Sequence, residues 1–289
     1  MSTFQSDVRP IRRVVIKHAR DAFGSQARID RQWQELNYLG KPDFARSLEE
    51  YDTFVAMLQA RGIELLFLDA DDNLTMDSLY PRDAAIATDK GMILCNMGKP
   101  ARRDEPAAEE ALFRLHGVPI LGRIEGEGSV EGGDVAWIDE QTLGVARGYR
   151  TNDEGIRQVR ALLGGSAEVV AYHMPHYKGP SDVFHLMSVY SPIDDDLAVV
   201  YSPLMPVPMR QNLLERGTRL VEVPDEEFES MGCNVLALAP RVCLAVAGNP
   251  VTKSRLEAAG AEVLVYAGTE ISNKGCGGPT CMTRPLERS

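Results

Sequence analysis

Long apolar runs are missing from this 289-residue chain, and with them any segment able to cross a bilayer as a helix. The first twenty residues carry five basic side chains and no apolar stretch, so a secretory leader is not expected. Cysteine is scarce and irregularly placed: Cys95, Cys233, Cys243, Cys276 and Cys281 form an odd set with no CxxC spacing. That pattern argues against a disulfide framework and a zinc site, and points to a reducing compartment, the cytoplasm. Positive charge is also short. The formal charge is -11, which makes nucleic acid and anionic membranes poor partners. No glycine-rich loop leads into a helix, so a phosphate-cradling motif is lacking and no cofactor is expected. No linker or low-complexity segment interrupts the chain, and residues 1–289 read as one domain.

What is present is a repeat. An amphipathic helix stops at glycine and a short apolar strand follows. Residues 43–61 carry Phe44, Leu48, Tyr51, Phe54, Val55 and Leu58 on one helical face, then Gly62, then a strand from Ile63 to Leu68. The same order returns at 106–116, 153–163, 209–216 and 251–259, with strands beginning near 117, 165, 217 and 260. Hairpin-like pairs lie between the units: Ala84–Ile86 with Met92–Cys95, Val135–Trp137 with Thr142–Ala146, Phe184–Tyr190 with Leu197–Tyr201, and Val235–Leu238 with Arg241–Ala247. Cys281–Thr283 would then pair with Val14–Ile16, closing a ring of five α/β units with helices outside.

Equivalent positions of such a ring meet at its axis. About 14 to 21 residues into the five units stand Asp83, Glu131, His185, Cys233 and Cys281. Each has a plain structural alternative: a carboxylate beside glycine serves as a turn residue, as Asp134 can after Gly132-Gly133, and a histidine between Phe184 and Leu186 can be a core residue. Cys233 and Cys243 sit in apolar strand context and read as structural. His173 and His176 lack further ligands at metal spacing, so no metal is expected. Two acids, a histidine and a thiol together suit a planar cation with an electrophilic carbon. Carboxylates grip a guanidinium, a thiolate attacks it, and the histidine moves the protons.

The segments Asp77-Ser78 to Asp83, Glu131-Gly132-Gly133-Asp134, His185-Leu186 and Gly277-Gly278-Pro279-Thr280-Cys281-Met282 resemble the guanidino-group-modifying enzymes, whose fold is the five-bladed α/β-propeller, or pentein, with pseudo-fivefold repeats. The resemblance implies that Cys281 is the nucleophile and His185 the general acid and base. It implies that Glu131 and Asp83 bind the guanidinium, that Asp77 lines the pocket, and that Arg102 and Arg150 hold a substrate α-carboxylate. The course it implies is a covalent thiouronium on Cys281, hydrolysed to a ureido product such as citrulline.

Within this superfamily the chain most resembles the dimethylarginine dimethylaminohydrolases, with two departures. Arg82 stands where an acid is common in that branch, making an Arg82-Asp83 pair similar to that of arginine deiminases, and Met187 stands where the deiminases carry an aspartate. The expected substrate is a small guanidino compound, most simply an Nω-methylated arginine. The alternatives are arginine itself, another substituted guanidine, or a binding role without turnover. Cys276 reads either as a plain loop residue or as a thiol that pairs with Cys281. Trp33 and Tyr38 are expected in a lid over the site, and a homodimer is the default assembly.

Overall fold

The computed structural model describes residues 3–289. Fifteen strands form five three-stranded sheets, the blades of a five-bladed propeller. Each blade has one grammar: an inner strand and a middle strand make an antiparallel hairpin, and a helix on the outside leads to an outer strand parallel to the middle one. In the second blade these strands are Ala85–Ile86, Met92–Leu94 and Ile120–Arg123, with helix Glu105–Leu115 before the last. The third uses Val135–Asp139, Thr142–Arg147 and Glu168–His173. The fourth uses Tyr190–Asp194, Leu197–Val200 and Arg219–Glu222. The fifth uses Val235–Ala239, Val242–Val246 and Glu262–Tyr266.

The first blade is built from both ends of the chain. Arg284–Arg288 runs antiparallel to Ile11–Ile16, with Val14 opposite Pro285, and Ile11–Ile16 runs parallel to Glu64–Phe67. The expected closing strand at Cys281–Thr283 is therefore displaced by three residues. Cys281–Thr283 forms the turn before the strand instead, braced by the Thr283 hydroxyl donating to Pro279 O at 2.9 Å. A similar shift affects Phe184–Tyr190, where the strand begins only at Tyr190. His185 there begins a short 3-10 turn, and its backbone N–H donates to Ser188 Oγ at 3.1 Å. In both places local polar capping outcompetes strand pairing.

The helices form where local signals agree. Asp43 caps helix Phe44–Gln59 by accepting from the Arg46 amide at 2.9 Å, and Tyr51, Phe54 and Leu58 are its buried face. Asn152 caps Asp153–Leu163 by accepting from the Gly155 amide at 2.8 Å, and Gly164 ends that helix at φ 57°, a conformation glycine adopts without a Cβ clash. The apolar helix faces and the blade surfaces between them form the core. No helix among the described residues is long and apolar enough to cross a membrane.

Leu286, on the closing strand, is 1% exposed and packs with Val15, Leu66 and Phe113. Leu286→Ala is expected to destabilise the protein by about 2–5 kcal/mol, measured as a lower midpoint in urea unfolding at unchanged slope.

Candidate active site

Every inner strand starts at the same end of the ring, so the turns that precede them crowd together there. Those turns carry Asp83, Glu131, His185, Asn234 and Cys281. The Arg82 amide donates to Cys281 O at 3.2 Å, linking the turn before the second blade directly to the turn before the closing strand. Above them opens a cavity of about 270 Å³, walled by Asp77, Asp83, Arg150, His185, Met187 and Cys281 among others. It has room for a small molecule.

His185 is held from both sides. Its Nε2 lies 2.8 Å from Glu131 Oε2, and its Nδ1 lies 3.8 Å from Asp83 Oδ1. Burial alone would favour the neutral ring, but Asp83, Asp134 and the bond to Glu131 outweigh it and hold the pKa up at about 9. The side chain is therefore an imidazolium at neutral pH, with both ring nitrogens protonated. Glu131 is held well below the ordinary carboxylate range: burial opposes ionisation, and the His185 hydrogen bond and charge override it. Asp134, read as a turn residue, accepts from the Leu186 amide at 3.2 Å, and burial pushes its pKa to about 6 despite the nearby His185.

The thiol sits opposite. Asn234 Nδ2 donates to Cys281 Sγ at 3.3 Å, while Asn234 Oδ1 accepts from the Thr280 amide at 3.1 Å and the Thr280 hydroxyl at 2.9 Å. Burial, then the charge of Asp83, pushes the Cys281 pKa up, with Thr280 and Asn234 pulling the other way. In the free protein the sulfur is a thiol. A cation entering the cavity would reverse that balance, because positive charge beside a thiol favours the thiolate. Cys276 also lines the cavity and is a free thiol; burial raises its pKa to about 11.

The glycines around this site admit other groups at close range. A Cβ on Gly277 would lie 2.4 Å from the Tyr80 ring and one on Gly278 2.3 Å from Asn234 Oδ1. A Cβ on Gly133 would lie 2.4 Å from His185 Nδ1 and 2.7 Å from Asp83 Oδ1. The Gly133 amide also donates to that same oxygen at 2.8 Å.

Several expected positions differ in orientation. Glu131, expected at the guanidinium, is fully buried behind His185, where it also takes the Lys99 amide at 2.9 Å and Arg150 Nη1 at 3.1 Å. Arg102, expected at a carboxylate, spends its guanidinium on the protein. It binds Glu105 through Nε at 2.9 Å and Nη2 at 2.7 Å, the Tyr80 carbonyl at 2.8 Å, and Asp83 through Nη1. Arg150 is half committed, with Nη2 reaching the Asp182 carbonyl at 3.4 Å. Asp77 lines the cavity as expected and pairs with Lys99 Nζ at 2.6 Å. Arg82 commits its guanidinium to Asp7 at 2.9 Å. Tyr38 is buried and Trp33 half-buried against the core, so neither is a lid; Leu36, Asn37 and exposed Leu39 stand at the mouth instead.

Asn234, Thr280 and Glu105 were missed. Asn234 follows Cys233, which packs into the core with Val199 and Val235. Glu105 stands three residues after Arg102 on the first helical turn, a spacing at which such pairs meet, and that signal was readable. Asp83, Glu131 and His185 also place one donor atom each within 4.8 Å of the others. The guanidinium groups of Arg102 and Arg150 already lie on the two carboxylates, so a metal ion there would meet two cations.

A propeller presenting a thiol, an imidazolium and a facing carboxylate in one small cavity defines the class of amidine hydrolases that act through cysteine. The comparisons narrow the class. Residues 22–288 match the family described as N,N dimethylarginine dimethylhydrolase, eukaryotic. A dimethylarginine dimethylaminohydrolase of Streptomyces coelicolor is 33% identical over 84% of this chain and 87% of its own length. One from Pseudomonas aeruginosa is 28% identical over 86% of this chain and 91% of its own. The solved structure of a Pseudomonas aeruginosa mutant enzyme with citrulline superposes at a TM-score of 0.76, over 96% of this chain and 99% of that one, at 23% identity. The chain belongs to the dimethylarginine dimethylaminohydrolase family.

Gly133→Ala is expected to lower kcat/KM by about a hundredfold, since the new methyl must displace His185 or Asp83. Circular dichroism of the variant should match the wild type, with the loss confined to turnover.

Proposed function

We propose that this protein, a single domain over residues 1–289 acting in the cytoplasm, hydrolyses Nω-methylated arginine to citrulline and a methylamine. The observation that carries the reading is the His185 imidazolium, clamped by Glu131, in one cavity with Cys281 and Asp83. Asp83 faces the cavity and grips the guanidinium; Glu131 acts through His185. Arrival of the cation drives the Cys281 proton to solvent, and the thiolate attacks the guanidinium carbon. His185 gives its proton to the departing amine, leaving a thiouronium on sulfur. The neutral imidazole then takes a proton from water as the oxygen attacks, and collapse of that adduct returns the thiolate, sheds the remaining hydroxyl proton to solvent and releases the ureido product.

Met187, 3% exposed in the cavity wall, supports a methylated rather than a free guanidinium. Its thioether packs against methyl groups and offers an NH2 only a weak acceptor in place of a carboxylate. With Arg102 saturated by Glu105 and Asp83, we assign a substrate α-carboxylate to Arg150, which lines the cavity beside Asp182. A homodimer is the assembly we expect, read out by sedimentation.

The test is amine and ureido release from asymmetric dimethylarginine, monomethylarginine and arginine. Wild type should turn over the methylated substrates and prefer them to arginine, and Cys281→Ser should abolish both products. Met187→Asp should shift preference toward arginine by about tenfold or more. A wild type that prefers unmodified arginine would sink the methylarginine assignment.

The pH dependence has a defined sign. His185 must enter as the acid once the thiolate has formed in the complex, so kcat should fall as pH rises through about 9. Glu131→Gln removes a charge that holds the proton on the ring. The alkaline limb of the profile should move toward about 6.5, the ordinary histidine value.

A further inference from the structure

Beneath the active site the propeller axis is filled by charge. Arg82, Arg284 and Arg288 are 1%, 4% and 1% exposed, and each lies within electrostatic reach of Asp7. Asp7 is fully used. Its Oδ1 takes Arg82 Nη2 at 2.9 Å and its Oδ2 takes the Trp137 amide at 2.8 Å. Arg284 donates to the carbonyls of Ala85 at 3.1 Å and Pro285 at 3.3 Å. Arg288 Nη1 donates to the Ala237 carbonyl at 2.9 Å. Arg82 Nε and Arg288 Nε and Nη2 reach no acceptor among the described residues.

Three guanidinium groups therefore face one ionised carboxylate. Glu109, the other acid near Arg284, does not correct the imbalance. Burial drives its pKa far above the carboxylate range, and neither of its oxygens meets a donor among the described residues. The mutual repulsion is felt: burial first, then neighbouring arginines, lower Arg284 to about 10 and Arg288 to about 9. Both remain cations at neutral pH. Uncompensated buried charge of this kind is strongly destabilising unless a counter-charge reaches it, and water can satisfy the donors without supplying one.

We propose that the axis binds one small inorganic anion, a halide, between Arg82 and Arg288, with the open Nε and Nη2 donors as its ligands. The site would brace the active-site floor. Arg82 precedes Asp83, and Arg284 lies three residues after Cys281, so an anion that fixes these arginines fixes the turns that carry the carboxylate and the thiol.

The test uses the full chain and bromide as probe. Crystals grown or soaked in sodium bromide should show an anomalous peak on the axis within hydrogen-bond distance of Arg82 and Arg288. In solution, replacing sodium gluconate by sodium chloride or bromide at constant ionic strength should raise Tm by roughly 2–4 °C. The rise should saturate, and Arg288→Met should abolish it. Should Arg288→Met not fold, the two wild-type measurements decide by themselves. An axis that holds only water, bromide peaks confined to the surface, or a Tm indifferent to halide would each overturn the proposal.

Discussion

The pairing of Ile11–Ile16 with Arg284–Arg288 is the constraint on which the rest depends. It joins strands nearly the whole chain apart, at the loop-closure entropy of a very long loop, although that cost grows only logarithmically with length. What it gains is an inner strand for the first blade and, with it, a ring without a gap. Only in the closed ring does the turn carrying Cys281 come beside the one carrying Asp83, where the Arg82 amide meets the Cys281 carbonyl. The reactive centre is thus a consequence of closure, and no single blade contains it.

Closure also concentrates ionisable groups where water is scarce. On the active-site side, each charge has an opposite neighbour: Glu131 with His185 and Arg150, Asp83 with Arg102, Arg102 with Glu105, and Asp77 with Lys99. Such pairing determines protonation. A histidine buried alone would be neutral, and this one is an imidazolium because carboxylates surround it. Cys281 has no cation among the leading influences on it and keeps its proton until a substrate brings one. In the proposed reaction the resting protein is therefore an acid paired with a dormant nucleophile, and the substrate's own charge completes the catalyst. On the opposite side of the floor the balance fails, with three arginines to one ionised aspartate.

Helix positions were legible because their signals are local. An apolar face at helical spacing and a terminal glycine act within one or two turns of chain, and the structure places the five long helices within a few residues of where those signals put them. Strand starts were less legible near the axis. At His185 and at Thr280–Thr283, side-chain and backbone caps form tight turns that delay the strand, and their preference over pairing depends on neighbours from other blades. Equivalence of position within repeats correctly brought Asp83, Glu131, His185 and the turn of Cys281 to one place. It fell on Cys233, which packs with Val199 and Val235, one residue short of Asn234, whose amide reaches the thiol.

By itself the sequence determined the repeat, the mixed α/β class, the kinds of reactive group available and their gathering at one end of a ring, since all of these follow from periodicity and spacing. Direction was decided only by the tertiary structure. Glu131 points behind His185 and not into the cavity, Arg82 points to Asp7 below the floor, and Arg102 is consumed by Glu105 and Asp83. The physical reason is that a buried charge turns toward whichever opposite charge lies nearest, and for Glu131 and Arg82 that neighbour comes from another blade. Spacing along the chain can say that such groups meet; which of them is left free for a ligand depends on how they pair once they have met.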